Sequence, residues 1–146
     1  MAKRKEYFYN PLDLEKDIAI GVTIPFGKPG GELFNLSYTT EEQAISNLKN
    51  LLLTRKGERP FQPNFGSTIP SLLFEPMDIN LETSIDESLR GDIGFWLPYI
   101  VIEDIKINAD FDRHRVNIEL SFRVTQQGVN TQIIIFVDAA GEVGIQ

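Results

Sequence analysis

Residues 116–125 read VNIELSFRVT, and their alternation decides the fold class. Val116, Ile118, Leu120, Phe122 and Val124 share one parity, while Asn117, Glu119, Ser121, Arg123 and Thr125 share the other. Successive side chains of a strand point to opposite faces, so this is a strand with one dry face and one wet face. Downstream, Gln126 to Asn130, with Gly128, reads as a turn into Ile133–Val137, which is apolar on both parities. Upstream, Tyr99 to Asn108 is rich in β-formers, but its apolar parity shifts at Glu103-Asp104: Ile100 and Ile102 come before, Ile105 and Ile107 after. A bulge there returns both pairs to one face. Residues after Asp138 read as a tail.

Ahead of these strands the period changes. Leu81, Ile85, Leu89, Ile93 and Leu97 repeat every four residues and predict a helix from about Leu81 to Trp96, ended by Pro98. Gly91 and Gly94 weaken it by about 1 kcal/mol each relative to alanine, and either permit a close crossing or mark a bend. A short helix is expected over Pro70–Phe74, started by Ser67 or Thr68 and stopped before Pro76. Earlier still, Thr39 followed by Glu42 is a capping-box spacing. Ala44, Ile45, Leu48, Leu51 and Leu52 form one helical stripe. Arg55 and Lys56 are expected to close its last turn, with Gly57 as a left-handed stop. Ile18–Phe26 alternates like a half-buried strand, with Pro25 placing it at an edge or an end. Gly27 to Gly31 is a loop without phosphate-binding glycine spacing. The architecture is α+β: an N-terminal strand, two to three helices, then a C-terminal antiparallel three-stranded meander. Residues 1–38 form an arm with one strand, 39–138 the main domain and 139–146 a tail.

The chain has 146 residues, 42% of them apolar and 24% charged, which is globular composition for one domain. Its net charge of −7 argues against general nucleic-acid binding, because little counterion release is available to an acidic surface. Lys3-Arg4-Lys5 runs against that trend and reads as a solvated tail or an anionic contact. With no cysteine, disulfides, thiolate metal sites and cysteine nucleophiles are excluded, in keeping with assembly in a reducing cytoplasm. No apolar signal segment follows the basic N-terminus, and the aliphatic run Ile133–Val137 is far short of the roughly 20 residues a membrane helix needs. A soluble protein without membrane insertion is expected.

Catalytic and cofactor signals are weak, and no cofactor is implied. The single histidine lies in Asp110-x-Asp112-x-His114, which puts three possible ligands on one side of a strand. That spacing is not distinctive for a metal, and Asn108–Arg115 also reads as a charged hairpin tip. No Gly-x-Ser-x-Gly elbow accompanies the histidine. Glu58, Glu75 and Glu87 are the carboxylates on offer to a glycosidase, but the chemistry needs two held roughly 5–10 Å apart across a sugar-sized cleft. With 21 acidic residues in the chain, some pair is inevitable.

The most specific signal is LLLTRKGERPFQPNFGS, residues 51–67, followed by Leu73-Phe74-Glu75. This motif resembles the phage gene-product-25 family, baseplate wedge proteins of contractile tails with relatives in type VI secretion baseplates. The resemblance covers roughly residues 40–138. It implies a structural subunit of the virion tail baseplate that joins the wedge complex to the inner tail, and a sheet similar to the sheath protein's inner domain, able to receive the first sheath ring. The implied partners are other wedge proteins, central hub or tube-initiating proteins, and tail sheath. The family is also often labelled lysozyme, which implies a muramidase; no acid/base pair recognisable in the sequence supports that activity.

Three segments are the expected contact surfaces. In the loop, Pro60 and Pro63 stiffen the chain, Phe61 and Phe65 are expected to anchor it, and Arg55, Lys56, Glu58 and Arg59 would display charge at a fixed place. At the corner after the long helix, the family's Glu-Pro-Arg corresponds to Leu97-Pro98-Tyr99, so an apolar contact through Trp96, Leu97 and Tyr99 is expected instead of ion pairs. In the last strand, Ile133, Ile134 and Ile135 lie where a sheet edge could take a neighbour's arm, unless the first strand or the tail already covers that edge.

Overall fold

A computed structural model of the chain describes residues 11–15, 17–24, 34–72, 80–110, 115–125, 130–137 and 143–145. Two short strands, β1 (Gly21–Thr23) and β2 (Asn35–Ser37), pair antiparallel. They lead into α1 (Thr40–Leu53), a single turn α2 (Ile69–Leu72) and α3 (Leu81–Trp96). The chain then forms β3 (Ile100–Asp110), β4 (Arg115–Val124), β5 (Asn130–Val137) and β6 (Val143–Ile145), an antiparallel sheet in that order. The three-stranded meander is present, and β6 adds a fourth strand where the sequence suggests a tail. The N-terminal strand is shorter than Ile18–Phe26 and belongs to its own two-stranded ribbon.

The sheet works as its alternation predicts. Val116, Ile118, Leu120, Phe122 and Val124 are all buried, while Asn117 is exposed and Glu119, Ser121 and Arg123 are only partly covered. The register of β3 on β4 shifts between Ile102 and Asp104, so Glu103 is the bulged residue. Ile102 therefore opposes Phe122, and Ile105 and Ile107 oppose Leu120 and Ile118 on the same dry face. The bulged Glu103 takes its carboxylate to Arg123 on the wet face, at 3.3 Å.

Helices α1 and α3 cover the dry face. Ala44, Leu48, Leu51 and Leu52 of α1 join Leu81, Ile85, Leu89 and Ile93 of α3 in one apolar cluster with the inner side chains of β4. The stripe of α3 is the sequence stripe without change. No helix among the described residues is long and apolar enough to cross a membrane.

The start of α1 is held from two directions. Thr39 Oγ1 accepts from Glu42 N at 3.2 Å, the first half of the capping box. The return bond falls one residue upstream of the usual position: Tyr38 N donates to Glu42 Oε2 at 3.0 Å. Thr40 N and Thr40 Oγ1 both donate to Asp13 Oδ1 at 2.8 Å, so a carboxylate from the N-terminal arm sits at the positive end of the helix. The ribbon packs nearby, with buried Ser37 donating its hydroxyl to Gln43 Oε1 at 2.6 Å. The Asp13→Ala variant should lose about 1 kcal/mol of stability in urea unfolding, the usual cost of removing a side-chain cap. An unchanged midpoint would mean that the arm contributes nothing to the fold.

Candidate assembly surface

The loop between α1 and α2 is built from its own main chain. Helix α1 stops at Leu53, short of the stop expected at Gly57, because Thr54 turns extended and its hydroxyl takes the Asn50 carbonyl at 2.6 Å. Arg55 then makes a parallel bridge with Ser67, and Ser67 N donates to Thr54 O at 2.8 Å. Gly66 lies against this bridge with φ 127°, and a Cβ there would come within 2.5 Å of Thr54 O. Gly57, at φ 92°, serves a different turn, in which Glu58 N donates to Arg55 O at 3.1 Å. Gly57 N donates to Pro63 O at 2.7 Å, and Gln62 N to Arg59 O at 3.2 Å, so the loop is cross-tied along its length.

The side chains at the base of the loop face inward. Phe65 is buried, with its ring edge-on to Trp96 at 5.2 Å and the Arg59 guanidinium 4.0 Å above its centroid. Lys56 pairs with Asp92 on α3, whose other carboxylate oxygen accepts from Thr68 Oγ1 at 3.4 Å. The Thr68 and Ser88 hydroxyls also meet. Glu58 Oε2 accepts from Arg55 N at 3.0 Å, and Arg59 reaches Gln62 Oε1 at 3.4 Å. The nominated charges are thus clustered in one rigid segment, and Lys56, Glu58 and Arg59 each have a partner inside the chain.

Phe61 corrects the sequence reading. It was expected to anchor the loop beside Phe65, yet it is 97% exposed. It sits in the turn closed by Gln62 N on Arg59 O, with Pro60 before it, and turn centres point outward. Phe95, which the sequence motifs do not single out, is also exposed, at 76%, and lies edge-on to Trp96 at 5.0 Å. A helical wheel carries the signal, since position 95 lies about 200° round from the core position 93.

At the corner, Leu97 is in the core and Pro98 is exposed. The Tyr99 hydroxyl accepts from Asn47 Nδ2 at 2.8 Å, and its carbonyl accepts from Thr125 N and Oγ1 at 2.9 and 2.8 Å. Trp96 is half-buried against Phe65 and Phe95. On β5, Ile133 is buried and Ile134 is partly open on the opposite face. Ile135 pairs with Ile145 in the first rung of the ladder to β6, which covers the outer edge of β5 from Ile135 to Val137. From Asn130 to Ile134 no strand lies beyond β5 among the described residues.

A cleft of about 250 Å³ is lined by Ile20, Thr40, Gln43, Ala44, Asn47, Tyr99 and Val124. None of these is a carboxylate, and Gln43, Asn47 and Tyr99 hydrogen-bond one another in series. Glu58 and Glu87 are both exposed, away from any such lining. Glu75 and most of the Asp110–His114 segment lie outside the described residues. Among those described, no three acidic or histidine side chains cluster as metal ligands do.

Comparison with known proteins matches residues 39–129 to the family "Baseplate wedge protein gp25". The baseplate wedge protein gp25 of Enterobacteria phage T4 is 29% identical over 84 residues, covering 55% of this chain. The chain spans 64% of that relative, less than two thirds of its length. Solved structures share the fold at low identity. A Geobacter sulfurreducens protein described as a candidate tail lysozyme superposes with TM-score 0.62 at 20% identity, over 68% of this chain and 91% of that one. A chain of the anti-feeding prophage baseplate gives 0.58 at 20% identity, over 69% and 79%. One from the post-contraction pyocin R2 baseplate gives 0.54 at 19% identity, over 68% and 96%. The match runs from the capped start of α1 through the cross-tied loop, α3, β3 and β4 to the residue before β5, and by it this chain belongs to the gp25 family of baseplate wedge proteins.

Proposed function

We propose that the chain is a structural wedge subunit of a contractile tail baseplate, linking the wedge complex to the inner tail and templating the first sheath ring. The observation that carries this is the loop of residues 54–67, cross-tied by main-chain bonds and held to α3 by Lys56 on Asp92. Such a segment is ordered before it meets a partner, so little entropy remains to be lost on docking. The loop residues Arg55, Lys56, Glu58 and Arg59 and the corner Trp96–Tyr99 form the wedge-facing surface. The β5 edge at Asn130–Ile134, with Ile133 and Ile134, pairs with an extended segment of sheath by strand addition. Central hub or tube-initiating proteins complete the partner set.

The fold neighbour described as a candidate tail lysozyme raises a second reading, peptidoglycan cleavage. A glycosidase needs two carboxylates across a saccharide cleft. The cleft between α1 and the sheet has none in its lining, and Glu58 is occupied by the Arg55 backbone N–H.

One experiment separates the two readings. Particles whose gene for this chain is deleted should carry no sheathed tails in electron micrographs. Supplying the wild-type gene should restore them, and purified wild-type protein should leave peptidoglycan turbidity unchanged. Normal sheathed tails from the deletion would end the structural reading; clearing that vanishes in Glu58→Gln would establish the enzyme.

A further inference from the structure

The open stretch of the β5 edge has an acidic side chain at one end. Thr131 faces the helices, because it pairs with Phe122 and lies two residues before the buried Ile133. Its hydroxyl donates to Glu41 Oε1 at 2.6 Å. Glu41 stands in the first turn of α1, and Ile45, one turn on, packs half-buried against the core. Helix α1 goes on to contact β6, so it follows β5 from Thr131 toward the rungs that β6 covers.

The start of the helix does not need this carboxylate. Asp13 already accepts from Thr40, and Glu42 accepts from Tyr38 N. Glu41 is instead half-buried beside the strand, and no cation among the described residues pairs with it. A carboxylate withdrawn from water is poorly compensated by one hydroxyl, and an incoming cation would complete its shell. A strand laid along Asn130–Ile134 can bring one. Neighbouring positions on adjacent strands share a face, so its residue opposite Thr131 points at Glu41. The residue opposite Ile133 then points toward Ile45. Alternation asks for a basic residue and an apolar one, two positions apart.

We infer that Glu41 is the specificity-determining residue of the β5 edge, pairing with a lysine or arginine of the incoming sheath strand. This rests on the strand-addition reading above and names the side-chain chemistry that selects the strand. Main-chain bonds alone leave the register of an added strand weakly set, and an ion pair at one end fixes it.

Purified sheath protein of the same tail is titrated onto baseplates carrying the wild-type chain or a variant, each variant first shown to be folded by circular dichroism. Glu41→Gln keeps an oxygen for Thr131 but loses the charge. It should bind sheath about 10-fold more weakly, with a shallower salt dependence. Thr131→Val removes the internal bond but keeps the charge, and should bind within about twofold of wild type. If wild type binds and Glu41→Gln binds equally well, the Glu41 assignment fails while strand addition stands. If Thr131→Val is weakened as much as Glu41→Gln, the carboxylate acts only inside the fold and the assignment fails again. If wild-type baseplates bind no sheath, the strand-addition reading fails and the assignment with it. Should wild type self-associate in sedimentation and Glu41→Gln not, the strand comes from a second copy and the proposed partner is wrong.

Discussion

Replacing Gly66 with alanine should destabilise the protein by about 3 kcal/mol and lower its melting temperature by roughly 10 °C. Two costs add. At φ 127° an L-residue is strained, and the new Cβ would sit 2.5 Å from Thr54 O and 2.8 Å from the Arg55 carbonyl carbon. Both neighbours are backbone held by the bridge to Ser67, so they cannot swing aside as a flexible side chain would. Relief requires the bridge to open, which also unseats Phe65. Trp96, the sole tryptophan, stacks edge-on against Phe65 and reports that movement in near-ultraviolet circular dichroism. The Gly57→Ala variant is the control. It meets the same kind of φ penalty at 92° but open space around the Cβ, and should cost about 1 kcal/mol. Equal losses at the two positions would show that the close approach at Gly66 does not matter.

The opposite sign is expected on α3. Gly91 and Gly94 are exposed in the helix, and a Cβ at either would meet nothing within 4 Å. The close crossing that glycine could permit does not occur among the described residues, and α3 runs unbroken from Leu81 to Trp96. The glycines therefore leave only their entropic cost. Gly91→Ala should add about 1 kcal/mol, and Gly94→Ala somewhat less because it lies in the last turn. The double variant should melt about 5 °C higher. A lower melting temperature would mean that α3 bends at these positions in solution.

Where burial falls on a single face, the sequence carries the fold. The period of β4 and the stripe of α3 emerge unchanged because each element packs one side against one core. The bulge at Glu103 was readable for the same reason, since only an extra residue brings Ile105 and Ile107 back beside Ile102. Tertiary main-chain contacts left no such trace. Arg55, Lys56 and Gly57 mimic a helix end, but α1 closes earlier because Ser67, thirteen residues downstream of Thr54, takes its carbonyl. Strand β6 is too short to show a period. In the candidate surface, the constrained course of the loop was readable from its prolines, yet the facing of its side chains was not. Phe61 and Phe65 are the same residue type in the same loop, and only the turn at Arg59–Gln62 decides which one points outward.

The bulge has a further consequence for the protein before it meets its neighbours. Strand β3 is an edge of the sheet and, at eleven residues, long enough to template cross-β stacking of one free subunit on another. Flat, in-register pairing is what such growth requires. Glu103 breaks the register in the middle of the strand and increases its local twist, while Asp104 and Lys106 set charge along the same wet face. The free subunit thus carries, in one inserted residue, its own protection against fibre formation.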